Sequence, residues 1–152
     1  MEREATLPSI EKLTNRPFID LLPLIDPAIE ADGCNPRSQY VEVCWLPVLG
    51  PTATLLYRRL GTWAEAQPEG SEVDLVDLSL SLGLGESLAP DGLLPQALGR
   101  LGRYDIIRCD RDSLAVRRAL PLLEEHQLGR LSFSAYQFHR QCVQHHIGRT
   151  AL

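Results

Sequence analysis

The sequence predicts a mainly α fold with a small β-hairpin, ordered as a winged helix-turn-helix, and three observations predict it. Between Gly50 and Arg118, three stretches carry apolar residues at helical spacing. A glycine-bearing break, Ser81-Leu82-Gly83-Leu84-Gly85, separates the second stretch from the third. The third runs into two short strand-like stretches that flank the turn Asp110-Arg111-Asp112-Ser113. On this reading residues 1–39 are an N-terminal arm, 40–118 the winged helix-turn-helix domain, and 119–152 a C-terminal helical extension.

The arm is broken by Pro8, Pro17, Pro23, Pro27 and Pro36. Ser9 is placed to cap a short helix through Leu13, which Pro17 stops. Phe18, Ile19, Leu21, Leu22, Leu24 and Ile25 are too apolar for a free tail, so the arm is expected to wrap onto the domain or onto a partner. Tyr40 to Leu46, closed by Pro47, fits either a short helix or an extended lead-in. Gly50-Pro51-Thr52 is a clearer helix start, because proline suits a first turn whose N–H would be unpaired anyway. Leu55, Leu56, Leu60 and Trp63 then give the first helix one buried face, and Gln67-Pro68-Glu69-Gly70 ends it.

Val73 to Leu82 reads as a second helix, with Asp74 and Asp77 in a first turn whose dipole favours carboxylates. Asp91 is expected to cap a third, from Leu93 to about Gly102, buried along Leu94, Leu98 and Leu101. That leaves Gln96, Gly99, Arg100 and Arg103 on its outer side. Tyr104 to Cys109 and Leu114 to Arg117 form the hairpin, which must pack on the helices because two strands do not stand alone in water. Beyond Pro121, Leu122, Leu123, Leu128, Leu131, Phe133, Tyr136 and Phe138 predict two helices or one bent helix, divided near Gly129 or Ser132.

With 152 residues the chain is long enough to bury a core, and 44% hydrophobic with 23% charged residues is ordinary for a globular domain. No apolar run approaches the ~20 residues of a membrane span, and Met1-Glu2-Arg3-Glu4 is unlike a signal peptide, so a cytoplasmic location is expected. Four scattered cysteines without a C-x-x-C pair read as free thiols. Lys12 is the only lysine, a bias that points to a high-GC genome. The net charge of -5 is unevenly spread: residues 1–90 hold 6 basic and 14 acidic side chains, residues 91–152 hold 9 and 6. The third helix and hairpin therefore lie in the positive half, which permits contact with a polyanion.

The segments Trp45-Leu46-Pro47-Val48-Leu49-Gly50-Pro51-Thr52-Ala53 and Leu55-Leu56-Tyr57-Arg58-Arg59-Leu60 resemble the first helix of a winged-helix family common in actinomycetes. The likeness continues through Leu78 to Leu84, Leu98-Gly99-Arg100-Leu101, and Leu114-Ala115-Val116-Arg117-Arg118-Ala119-Leu120-Pro121, and spans residues 36–131. The resemblance implies the winged-helix fold and a DNA-binding or transcription-regulating role. In such folds the third helix enters the major groove. Here it opens with Asp91-Gly92-Leu93-Leu94-Pro95-Gln96, which sets a carboxylate and a proline where donors are needed.

The expected DNA-contacting residues are Gln96, Arg100 and Arg103 on the third helix, with Arg108, Arg111, Arg117 and Arg118 on or beside the wing. The competing reading is a solvated face in which the arginines pair with Asp105, Asp110 and Asp112. The alternative function is a protein-interaction (adaptor) module without direct DNA readout. Two surfaces invite partners: the arm from Phe18 to Ile25, and the C-terminal stripe Leu128, Leu131, Tyr136 and Phe138, through which a homodimer is expected. His139, Cys142 and His146 share one side of a helix, a weak metal-ligand pattern that lacks a defined fourth ligand. No nucleophile elbow, P-loop lysine or paired-carboxylate motif is present, so neither an enzyme nor a cofactor is expected.

Overall fold

The computed structural model describes residues 18–110 and 112–151, with side chains described to residue 145. Helices and a small four-stranded mixed sheet make up the fold. The first strand, β1 (Phe18–Leu24), comes from the supposed arm. Its burial alternates as period-2 geometry requires: Ile19 and Leu21 are buried, Phe18, Asp20 and Leu22 exposed. The arm supplies an interior strand of the sheet.

A short helix, α1 (Pro27–Asp32), follows, with Asp26 as its cap and Pro27 in its first turn. Val41–Trp45 is a π-helical turn that runs directly into α2 (Leu46–Leu49), so the Tyr40 region is helical. Gly50, at φ 86 and ψ 161, makes the corner into α3 (Pro51–Ala66), a backbone conformation that favours glycine. Along α3, Leu56, Tyr57, Leu60 and Ala64 are buried while Leu55 is exposed.

Between α3 and the next helix lies a strand that helical periodicity did not anticipate, β2 (Ser71–Asp74). Asp74 ends it and caps α4 (Leu75–Ser81): its Oδ1 accepts from Val76 N at 2.9 Å and Asp77 N at 3.1 Å. Val73 therefore belongs to a strand, and the helix starts at Leu75 because the aspartate's side chain serves the orphan N–H groups of the first turn. The third predicted helix appears as α5 (Leu93–Arg103), capped by Gly92 rather than Asp91. Leu94, Leu98 and Leu101 are fully buried as the stripe predicted, and Gly99 joins them inside.

The hairpin is β3 (Ile107–Cys109) and β4 (Ser113–Arg117). Strand order is β2-β1-β4-β3. β1 runs antiparallel to β2, with Ile19 opposite Val73, and parallel to β4, with Leu21 opposite Leu114. Pro23, which cannot donate to a ladder, falls beyond the stretch paired with β2 and is matched only with Val116 of β4. α3 packs on β1 and β4, and α5 on α3 and β3. The core thus fills the space between the sheet and the α3–α5 pair.

After Pro121 the chain makes a 3-10 turn (Glu125–Arg130) and then α6 (Phe133–Ala151). Ser132 Oγ accepts from Ala135 N at 3.2 Å at the head of α6, so the break predicted near Ser132 separates the turn from the helix. Leu128, Leu131 and Phe138 pack against the core, whereas Phe133 is 80% exposed and Tyr136 39%. Among the described residues no helix is long and apolar enough to cross a membrane. The helix predicted for Ser9 to Leu13 lies outside the described residues.

Candidate functional site

The predicted site residues fall into two groups with different fates. Gln96, Arg100 and Arg103 sit three or four positions apart on α5, which places them on one face with Leu93. Leu93, Gln96 and Arg103 are exposed and Arg100 is half-buried. This face borders a recess of about 510 Å³, bounded on the opposite side by Gly50, Pro51, Thr52 and Ala53 at the start of α3. A volume of this order is that of a ligand-sized cleft.

Polar donors and apolar walls meet there. Arg100 Nη2 donates to Val48 O at 3.3 Å, while its buried Nε has no hydrogen-bond partner among the described residues. Gln96 Nε2 donates to Asp91 O at 3.2 Å, which turns the aspartate's carbonyl to structural use. No described carboxylate pairs with Arg100 or Arg103. The cap of α3 is Gly50, which offers no side chain to the N–H groups of the first turn. Pro51, Pro90 and Leu93 supply exposed apolar surface beside the arginines.

The second group is bound into the fold. Arg117 is 9% exposed; its Nη1 reaches Asp26 Oδ2 at 3.1 Å, its Nη2 reaches Asp105 Oδ2 at 2.9 Å, and its Nε donates to Asp105 O at 2.6 Å. Arg108 makes a two-pronged contact with the same Asp105, at 2.8 and 2.9 Å. The hydrogen bond from Arg108, aided by that from Arg117, holds the Asp105 carboxyl below its usual range. Asp105 itself sits at φ 58, a left-handed conformation that aspartate tolerates better than most residues. Arg118 binds Glu30 of α1 bidentately, both contacts at 2.7 Å. Arg111 lies outside the described residues.

Sequence reading missed Asp26 and Glu30 as partners, because they are separated from Arg117 and Arg118 by 91 and 88 positions. It also missed the first turn of α3 as a wall of the site. The only available signal was Gly50-Pro51, read as a helix start and nothing more.

The histidine–cysteine pattern leads elsewhere. His139 is 6% exposed, and its Nδ1 lies 2.6 Å from the Tyr40 hydroxyl, which also accepts from Leu123 N at 2.9 Å. Among the described residues no group of three or more His, Cys, Asp or Glu side chains is arranged to hold a metal; the His146 side chain lies outside them. Burial pushes Cys34 up to about 11 and Cys44 and Cys109 up to about 12, which keeps these thiols protonated and weak as ligands or nucleophiles.

No family model matches the chain, and comparison with curated proteins and with solved structures finds no match.

Proposed function

We propose that this chain is an interaction module with winged helix-turn-helix order, which docks an acidic protein segment on the α5 face and does not read DNA directly. The succession α3, β2, α4, α5 and the β3–β4 hairpin supports the winged-helix reading. Two departures qualify its use as a DNA reader. β1 is inserted between β2 and β4, and the connection from Leu82 to Gly92 exceeds the three- to four-residue turn of the tightest helix-turn-helix units.

The observation that carries the docking reading is the state of the wing arginines. Arg108, Arg117 and Arg118 are each matched by a carboxylate of the same chain. A phosphate would have to displace those partners. With Arg100 and Arg103 as the two unpaired candidates among the described arginines of the expected set, salt dependence on DNA would be shallow: a log–log slope of about -2, against about -5 for those five arginines acting together. A recess is also the wrong relief for a groove-reading helix, which must project. It suits an inserted side chain.

Mobility shift with genomic fragments at low ionic strength tests this. The docking reading expects no shifted complex, or a weak one with the shallow slope. A tight complex whose affinity falls steeply with salt overturns it and restores the second reading, a DNA-binding transcriptional regulator, for which the shared face of Gln96, Arg100 and Arg103 is the favouring observation.

A further inference from the structure

We propose that the recess is a carboxylate-binding site: Arg100 and Arg103 clamp an aspartate or glutamate of the docked segment, and a neighbouring apolar residue lies on Pro51, Pro90 and Leu93. This rests on the docking reading and names the chemistry that its partner presents.

The arginines argue for a missing anion. Arg100 and Arg103 are three apart in the last turns of α5, so their guanidinium groups are neighbours of like charge, which costs a few tenths of a kcal/mol in a helix. The other described arginines of the expected DNA-contacting set, Arg108, Arg117 and Arg118, are answered with carboxylates, at Asp26, Glu30 and Asp105. Here no described residue offers one. The one contact of Arg100, to Val48 O, supplies an acceptor but no compensating charge, and its Nε–H is buried without a partner. A carboxylate seated on the guanidinium groups of Arg100 and Arg103 supplies that charge.

The opposite wall agrees in sign. The sixteen-residue helix α3 begins there with a glycine cap, leaving the first-turn N–H groups of Thr52 and Ala53 without a side-chain acceptor. The walls then select the kind of anion. Pro51, Pro90 and Leu93 are exposed and apolar, which suits a peptide that alternates acidic and apolar side chains.

The probe is a capped, amidated peptide alternating leucine and glutamate, with a glutamine version and a phosphoserine version beside it. Binding to the full chain is followed by calorimetry and by nitrogen–proton resonances of Thr52, Ala53 and the arginine side chains. The expected result is that the glutamate peptide moves those resonances, and that its affinity drops at least tenfold in the glutamine peptide, in R100Q and in R103Q. Arg103 is exposed and makes no described contact, so R103Q carries the test if R100Q fails to fold. Equal binding of the glutamine peptide, shifts confined to another surface, or binding of the phosphoserine peptide alone overturns the carboxylate site. Those outcomes leave the docking reading to the DNA titration, whose steep salt slope would overturn that reading whatever the peptides do.

Discussion

Arg117 and Asp26 meet at 3.1 Å, although the residues stand 91 positions apart. Arg117 closes β4, and Asp26 lies between β1 and α1. The contact therefore fixes the end of the parallel β1–β4 pair, while Asp105, held by the same guanidinium, fixes the tip of the chain between α5 and β3. Tyr57 completes the junction from α3 by donating to Arg117 O at 3.0 Å. The residue expected to reach out to a phosphate backbone instead ties together the sheet and the helices.

Replacing Arg117 with alanine should consequently destabilise the fold. Removing one member of a buried ion pair leaves the other charge exposed to the desolvation that the pair offset. Asp26 and Asp105 are partly open to water, which lowers the loss from the fully buried limit to about 2 kcal/mol. Arg118→Ala, at a more open bidentate pair, should lose about 1 kcal/mol. Denaturant melts of both variants measure the difference. Equal and negligible losses would show that these pairs are ornaments of the surface.

A chain shortened to begin at Ile25 should fail to fold cooperatively. Such a truncation removes β1, whose Ile19 and Leu21 are buried and whose backbone serves both β2 and β4. β2 would be left without any strand neighbour, and β4 with β3 alone. Two fully buried aliphatic side chains contribute about 2 kcal/mol each, which with the lost ladders is a large part of a typical domain's stability. Circular dichroism and thermal melting of the shortened chain decide the matter: a native-like melt would mean that the segment is an appendage after all.

How much of this was legible depended on whether the signal was local. The stripe Leu94, Leu98 and Leu101 and the start at Gly50-Pro51 are written within a few residues, and helix α5 and the beginning of α3 appear where the pattern puts them. The role of Phe18–Leu24 was hidden because a strand's neighbours are chosen by long-range pairing, and Pro23 reads locally as a breaker. β2 was hidden for another reason. It is four residues long, and its Asp74 also begins the helix that follows, so acidic first-turn chemistry masked the strand. At the site, the face of Gln96, Arg100 and Arg103 was readable from spacing. The capture of Arg117 and Arg118 by Asp26 and Glu30 was not, since no spacing rule connects β4 with α1.

Gly61 offers a sharper check on the packing of α3. In an exposed helix interior, glycine to alanine gains about 1 kcal/mol. Here a Cβ would stand 2.6 Å from Pro36 Cγ and 3.1 Å from Tyr57 Cε1. The proline ring is stiff and Tyr57 is fully buried and tied to Arg117, so neither yields cheaply. Gly61→Ala should therefore lower the melting temperature despite the better helix propensity. A rise would mean that the segment carrying Pro36 moves freely away from α3.

His139 sets the last expectation, which concerns pH. Its Nδ1 faces the Tyr40 hydroxyl at 2.6 Å, and Tyr40 Oη already accepts from Leu123 N, so the phenol's proton is satisfied when a neutral ring accepts it. Burial lowers the His139 pKa, and the Glu125 carboxylate opposes that shift only in part; Tyr136 adds a ring contact. A folded-state pKa below the unfolded one means that the unfolded chain binds the proton more readily. Stability from this group is then complete above the unfolded value of about 6.5 and is lost as pH falls through the folded value. Asp105, also lowered, contributes in the same direction but in a separate window, below its own unfolded value of about 4. Melts at pH 7.5 and 5 should therefore differ more in the wild type than in His139→Gln, in which no imidazole remains to charge. An undiminished pH dependence in His139→Gln would assign the effect to another group.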